Sequence, residues 1–247
     1  MIDSIVFSKN RPAQLELFLR TFSKYTNNMF RLNILYDCDT IYNNSYQILI
    51  KEYYNFNWIK QNNFKQDLLN NIKEKYCCFF VDDDVWINNL TENLELDNNT
   101  VCISLRMHPN ISYCYSANFN TGKNIIQNNK WEWKGKSGDW GYPMSLDGHV
   151  FMSEDILPIL NKLNYNNPNS LEYILSCNPI NKNYMYCFEK PKIINIPYNR
   201  VQNVFINRSQ NKDVLEMNDL FLEGLRLEEP ILTNFNSPHV EYEFNWI

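Results

Sequence analysis

A short run rich in apolar and β-branched residues spans positions 2–7 and stops at Ser8-Lys9-Asn10-Arg11-Pro12. Leu15, Leu17, Phe18, Leu19 and Phe22 then recur at roughly helical spacing. That reads as strand, loop, helix. The pattern recurs with an apolar stretch at 32–36, a polar stop at Asp37-Cys38-Asp39 and a helix-compatible stretch at 42–54. A third short strand is expected at 56–59, ahead of an amphipathic segment at 64–76. Cys77-Cys78-Phe79-Phe80-Val81 is apolar on both faces, as a central strand of a covered sheet should be, and it ends abruptly in Asp82-Asp83-Asp84. Later strands are expected at 101–105 and 149–152, helices near 154–163 and 170–176, and extended segments near 184–188 and 193–196.

Strands that alternate with helices imply right-handed βαβ units and an α/β fold with a mostly parallel central sheet flanked by helices. Ligands of such sheets bind in the crevice beyond the carboxyl ends of the strands, where the three aspartates fall. The 247 residues suit a single domain, and neither an internal repeat nor a separate linker interrupts them.

Composition narrows the classes of function. A 44% apolar and 15% aromatic content fills a packed core, despite heavy use of Asn. The net charge of -5 offers no chain-wide attraction for nucleic acid or anionic lipid, so any anionic ligand is held locally. The opening residues lack a basic, apolar signal segment, and no window reaches the ~20 apolar residues of a membrane span, so a soluble, cytoplasmic protein is expected. Seven cysteines without a Cys-x-x-Cys pair suggest reduced, mostly buried thiols.

Three adjacent carboxylates repel unless a cation or hydrogen-bond donors share their charge. Mn²⁺ or Mg²⁺ suits such a cluster, being held by one or two carboxylates together with substrate phosphates. The competing reading is a set of solvated residues capping a helix from Val85 onward. Five of the six glycines lie between 122 and 148, alongside Trp131, Trp133 and Trp140, and this stretch reads as a mobile loop that orders over a ligand.

The segment from Ile5 to Pro12, the strand end at Asp37, and Phe79-Phe80-Val81-Asp82-Asp83-Asp84 together resemble the nucleotide-binding half of the GT-A glycosyltransferases, particularly the family 2-like group. The likeness covers roughly the first 110 residues. It implies a GT-A, Rossmann-like sheet whose first half, 1–110, binds nucleotide, while 111–247 forms the acceptor-binding half and C-terminal segment. It also implies a hexosyltransferase-like enzyme using a UDP- or GDP-sugar with Mn²⁺ or Mg²⁺. Ser8, Lys9, Asn10, Arg11 and Asp37 would lie at base and ribose, with Asp82 and Asp83 on the nucleotide-sugar and Asp82 and Asp84 on the metal. Lys65 and Asp67 occupy a stretch that commonly contacts nucleotide in such enzymes, or else an exposed helix face. The second strand ends in Asp37-Cys38-Asp39-Thr40 where family 2 members usually show Asp-Asp-Gly-Ser, which leaves the base open.

In residues 138–151 the resemblance expects sugar and acceptor contacts. Trp140 and Tyr142 can stack on a sugar's C–H face or plug the core, and His149 is a further acceptor-side candidate. Inverting transfer needs a carboxylate base, for which Asp147 and Glu172 both qualify; each also has a local use, as a turn former or as a carboxylate near a helix start. Some GT-A enzymes supply a late His to the metal. Here only His239 is late, so Asn199 or Asn203 is expected to line the site instead, and Arg200 suits a phosphate. The acceptor is not named by the sequence. Two alternatives carry the same fold: a sugar-phosphate nucleotidyltransferase, disfavoured because the 8–12 loop has no glycine, and a non-catalytic carbohydrate-binding protein.

Overall fold

The computed structural model describes residues 1–201 and 208–247. Asn203 therefore lies outside the described residues. The chain begins with β1 (Ile2–Lys9), α1 (Pro12–Tyr25), β2 (Phe30–Asp37), α2 (Asn43–Glu52), β3 (Asn57–Lys60), α3 (Phe64–Leu69) and β4 (Tyr76–Val81). It continues through β5 (Asp84–Trp86), β6 (Thr100–Ser104), the hairpin β7 (Tyr113–Cys114) and β8 (Phe119–Asn120), β9 (Lys130–Glu132) and β10 (His149–Met152). The remaining elements are α4 (Ser153–Lys162), α5 (Pro168–Cys177), β11 (Tyr184–Cys187), β12 (Ile193–Asn195) and α6 (Val214–Leu222).

Eight strands form one sheet in the order β3-β2-β1-β4-β10-β6-β11-β9. Its first four are parallel, β10 runs against both neighbours, and β6 and β11 are parallel again. The period-2 rule explains how both faces are covered. Along β4, Cys78 and Phe80 face a core built with α1, α2 and α6, whereas Cys77 and Phe79 face one built with α3, α4 and α5. Strand β1 divides likewise, with Ile2 and Val6 on the first side and Ile5 and Phe7 on the second. A mixed, mostly parallel sheet flanked by helices is the fold anticipated from the strand and helix pattern.

Two local expectations differ. The amphipathic stretch at 64–76 is helical only through Leu69, although Ile72 is buried in the same core as Phe64 and Leu68. Val85 does not begin a helix: Asp84 opens β5, which pairs antiparallel with β12. All seven cysteines are free and five are buried. Among the described residues, no helix is long and apolar enough to cross a membrane.

Candidate functional site

Helix α1 begins at Pro12, whose fixed φ suits the first helical position, and its cap residue Arg11 makes no side-chain cap. That guanidinium turns instead to the end of β4, pairing with Asp82 and, at 2.6 Å, with Asp83. The loop is set by Asn10, which takes a left-handed φ of 56° and clasps Asp39 at the end of β2 through both side-chain atoms, at 2.7 and 2.8 Å. Below it, the buried Tyr46 hydroxyl bonds Ser8 Oγ at 2.7 Å. Lys9 pairs with Asp37 at 2.7 Å across the exposed ends of β1 and β2. Ser8, Lys9, Asn10, Arg11 and Asp37 thus gather at one end of the parallel strands.

The three aspartates have separate environments. Burial opposes a charge on Arg11, but Asp82 and Asp83 outweigh it and keep the guanidinium firmly protonated. Burial raises Asp83 to about 7, with Arg11 pulling the other way, and raises Asp82 as well. Asp84 is wholly buried and accepts from Val81 N and Asn195 Nδ2, both at 3.1 Å; burial first and Asp147 second push it well above the usual carboxylate range.

A cleft of about 360 Å³ opens beside these residues. Arg11 and Asp83 stand on its wall, and Tyr142, Asp147, Glu172 and His239 join them from the second half of the chain. Asp147 is aimed by Gly148, whose φ is +66° and whose added Cβ would lie 2.1 Å from Ile193 Cδ1; a side chain there fits neither the backbone nor the space. Arg106, 1% exposed, anchors this side: its Nη1 lies 3.1 Å from Asp139, 3.6 Å from Asp147 and 3.2 Å from His239 Nε2. Burial works against an ionised Asp147, but His239 and Arg106 overcome it and hold the carboxyl at about 2. Glu172 goes the opposite way, lifted to about 7 by burial and then by Asp147. Its bonds, from Ser145 Oγ and Leu146 N, are both 3.3 Å. It sits in the second turn of α5, whose start is instead secured by the Asn167/Ser170 capping box.

Other sequence candidates go elsewhere. Trp140 is 2% exposed and packs edge-on against Trp131 at 5.0 Å, while Trp131 Nε1 donates to the Trp140 carbonyl at 2.9 Å. Trp131 and Trp140 thus belong to the second core, with Trp133 packed against it, whereas Tyr142 of the same stretch lines the cleft. His149 is fully buried, bonds Pro143 O at 2.9 Å through Nδ1, and is lowered to about 3 by burial and then Arg106. Lys65 ties α3 to α4 by donating to the Asn161 and Leu163 carbonyls, and Asp67 accepts from Asn62 N and Asn63 N at its own helix start. Asn199 and Arg200 line the cleft. His239, set aside in favour of Asn199, also reaches it, and Arg106 was missed altogether; the only signal for Arg106 was a charged residue directly after an apolar strand.

An oxygen-seeking cation was anticipated here. Asp82 Oδ2 and Asp83 Oδ1 are buried without hydrogen-bond partners, while Arg11 engages the other oxygen of each. Both oxygens of Asp84 are engaged. Among the described residues, no cluster of three His, Cys, Asp or Glu side chains is arranged to hold a metal. The donor set therefore fits a cation shared between one or two carboxylates and a ligand's phosphates, with Asp83 on the cleft wall, and does not form a cage at Asp84.

A mostly parallel α/β sheet with an acidic strand end opening on a charged cleft is the arrangement that the sequence resemblance to the GT-A glycosyltransferases implies. The chain is 29% identical over 293 aligned residues to the bifunctional glycosyltransferase pgtA of Dictyostelium discoideum, across 96% of this chain and 38% of that protein. It thus spans well under half the length of that relative. Solved structures similar to it include TarS 1-349 of S. aureus (TM-score 0.48, 14% identity, 78% of this chain and 59% of that one). Another is the mannosyltransferase PcManGT from Pyrobaculum calidifontis in complex with GDP-Man and Mn²⁺ (TM-score 0.38, 9% identity, 76% of this chain and 56% of that one). No protein-family model matches the chain.

Proposed function

We propose that the chain transfers a sugar from a nucleotide-diphosphate donor, UDP- or GDP-linked, to an acceptor hydroxyl with inversion, using Glu172 as base. One observation carries the reading: a single cleft is lined by Arg11 and Asp83 together with two carboxylates of opposite character, Asp147 held ionised and Glu172 titrating near neutrality. Residues 1–110 take the donor and residues 111–247 the acceptor. The nucleoside lies along Ser8, Lys9, Asn10 and Asp37, which brings the diphosphate to Arg11, a guanidinium matched to phosphate geometry. Mn²⁺ or Mg²⁺ held by Asp83 and Asp82 would supply Lewis-acid stabilisation of charge on the departing diphosphate.

Glu172 accepts the acceptor's proton as that oxygen bonds to the anomeric carbon and the diphosphate leaves with the electron pair of the broken C–O bond. A base serves best when its pKa lies near the working pH, a condition that Glu172 meets and Asp147 does not. Asp147, fixed by Arg106 and His239, orients the incoming hydroxyl, and Tyr142 offers a ring to the sugar.

Calorimetric titration with UDP-, GDP-, CMP- and TDP-sugars, with Mn²⁺ and then with chelator, tests the proposal. Binding of one nucleotide class that is lost on chelation is expected. Binding that survives chelation removes the metal from the reading, and no binding of any donor overturns the donor class itself.

A further inference from the structure

A second cavity, of about 90 Å³, lies beside the cleft and plays no part in the transfer step proposed above. Thr121, Lys123, Asn124, Lys136, Ser137 and Trp140 line it, and among the described residues no acidic side chain does. Two of these residues carry buried N–H donors without any partner, Trp140 Nε1 and Asn124 Nδ2. A buried donor left unpaired is unfavourable, and both of these belong to residues of the cavity's lining, which favours an acceptor there. Among the described residues neither lysine ammonium makes an ion pair with an acid. The cavity thus presents hydrogen-bond donors and positive charge.

Its frame is preformed. Gly141 passes so close to the Lys136 carbonyl that an added Cβ would lie 2.1 Å from that oxygen, which fastens the 3₁₀ turn Gly138–Gly141 against the segment carrying Lys136. That turn faces two ways: Asp139 lines the main cleft and Trp140 lines the small cavity. A group seated in the cavity is therefore one residue removed from the carboxylates that Arg106 anchors.

We propose that this cavity binds a phosphomonoester carried by the acceptor, steering the acceptor into the cleft by an anionic handle; the assignment to the acceptor rests on the transferase reading, the anion site does not. The volume suits one tetrahedral oxyanion, which takes several N–H donors and two ammonium groups at once.

The test uses the full chain and two probes, inorganic phosphate and phenyl phosphate, by calorimetry at low ionic strength. Saturable binding of both is expected, weakened roughly tenfold or more in the Lys123→Ala/Lys136→Ala double variant and retained in the Lys123→Arg/Lys136→Arg variant. Thermal melting of each variant identifies any loss that comes from unfolding, in which case the arginine variant decides. No saturable binding by the unaltered chain, or undiminished binding in the folded alanine variant, overturns the site. Phosphate binding with exclusion of phenyl phosphate overturns its assignment to an acceptor group. Nucleotide-sugar titrations of the same variants should be unchanged; a chain that binds phosphate but no nucleotide-sugar refutes the transferase reading and leaves the anion site standing.

Discussion

Arg106→Met removes the one guanidinium that joins Asp139, Asp147 and His239, and its cost follows from the geometry. The side chain is 1% exposed and its Nη1 lies 3.1 Å from Asp139 and 3.6 Å from Asp147. Methionine fills most of the volume, so the loss is electrostatic rather than a cavity. Asp147 is held at about 2 against an ordinary value of 3.8; one pKa unit is about 1.4 kcal/mol, so releasing the whole depression would cost roughly 2 kcal/mol. His239 supplies part of that depression, but Asp139 adds a second buried carboxylate without its partner. The sum approaches the ~3–5 kcal/mol expected on breaking a buried ion pair.

With a urea slope near ~3 kcal/mol/M, the midpoint should fall by about 1 M or more at pH 7, read by tryptophan fluorescence with the slope unchanged. The sign with pH is also fixed. A depressed carboxyl contributes stability present above its unfolded pKa and lost as pH falls toward about 2, so the difference between the two proteins should shrink below about pH 4. Adding Asp139→Asn and Asp147→Asn should restore much of the loss. A midpoint within about 0.2 M of the parent at pH 7, or a difference that grows in acid, would refute the argument.

Glu172→Gln should lower turnover by ~10²–10⁴-fold while sparing donor affinity, and the parent's rate should rise with pH through about 7 as the carboxyl deprotonates. Because burial raises Glu172, its contribution to stability should decline between about pH 4.5 and 7, a slope that the glutamine variant should lack in chemical denaturation. Asp83→Asn should weaken metal-dependent nucleotide binding in calorimetry with little change in melting temperature, whereas Asp84→Ala should chiefly destabilise, by ~1–3 kcal/mol, by orphaning Asn195 and Val81 N. Trp140→Ala should cost ~3–5 kcal/mol in a denaturant melt and leave nucleotide affinity unchanged, the reverse of what a sugar-stacking residue would show.

The sheet was legible because its strands announce themselves locally. Both faces of β4 are apolar, β1 and β2 end in polar stops, and Pro12 marks a helix start, so strand, loop and helix follow from period and punctuation alone. The gathering of Ser8 to Arg11 with Asp37 and the aspartates follows from the same topology, since parallel neighbours place their carboxyl ends together. What was not legible depends on partners far away in sequence. Asp84 looked like a metal ligand because nothing nearby shows that Asn195 will meet it, and Val85 looked like a helix start because β12 is equally distant. Trp140 was evenly balanced between sugar and core, and Trp131 decided it. Arg106 carried only one weak local signal, a charge directly after an apolar strand; its role exists only once Asp139, Asp147 and His239 converge on it.

The pairing of β5 with β12 has a consequence for when the chain becomes competent. Asp84 meets Asn195 across 111 positions, and Arg106 meets His239 across 133. Contacts of such separation close late, because the entropy of the intervening loop must be overcome before they return anything. The four parallel strands lie within residues 2–81, yet the floor of the cleft is finished only when Asn195 and His239 reach Asp84 and Arg106. A nascent or nicked chain would thus hold a formed sheet with an unassembled centre, and recovery of ligand binding on refolding should lag behind recovery of helical and strand signal.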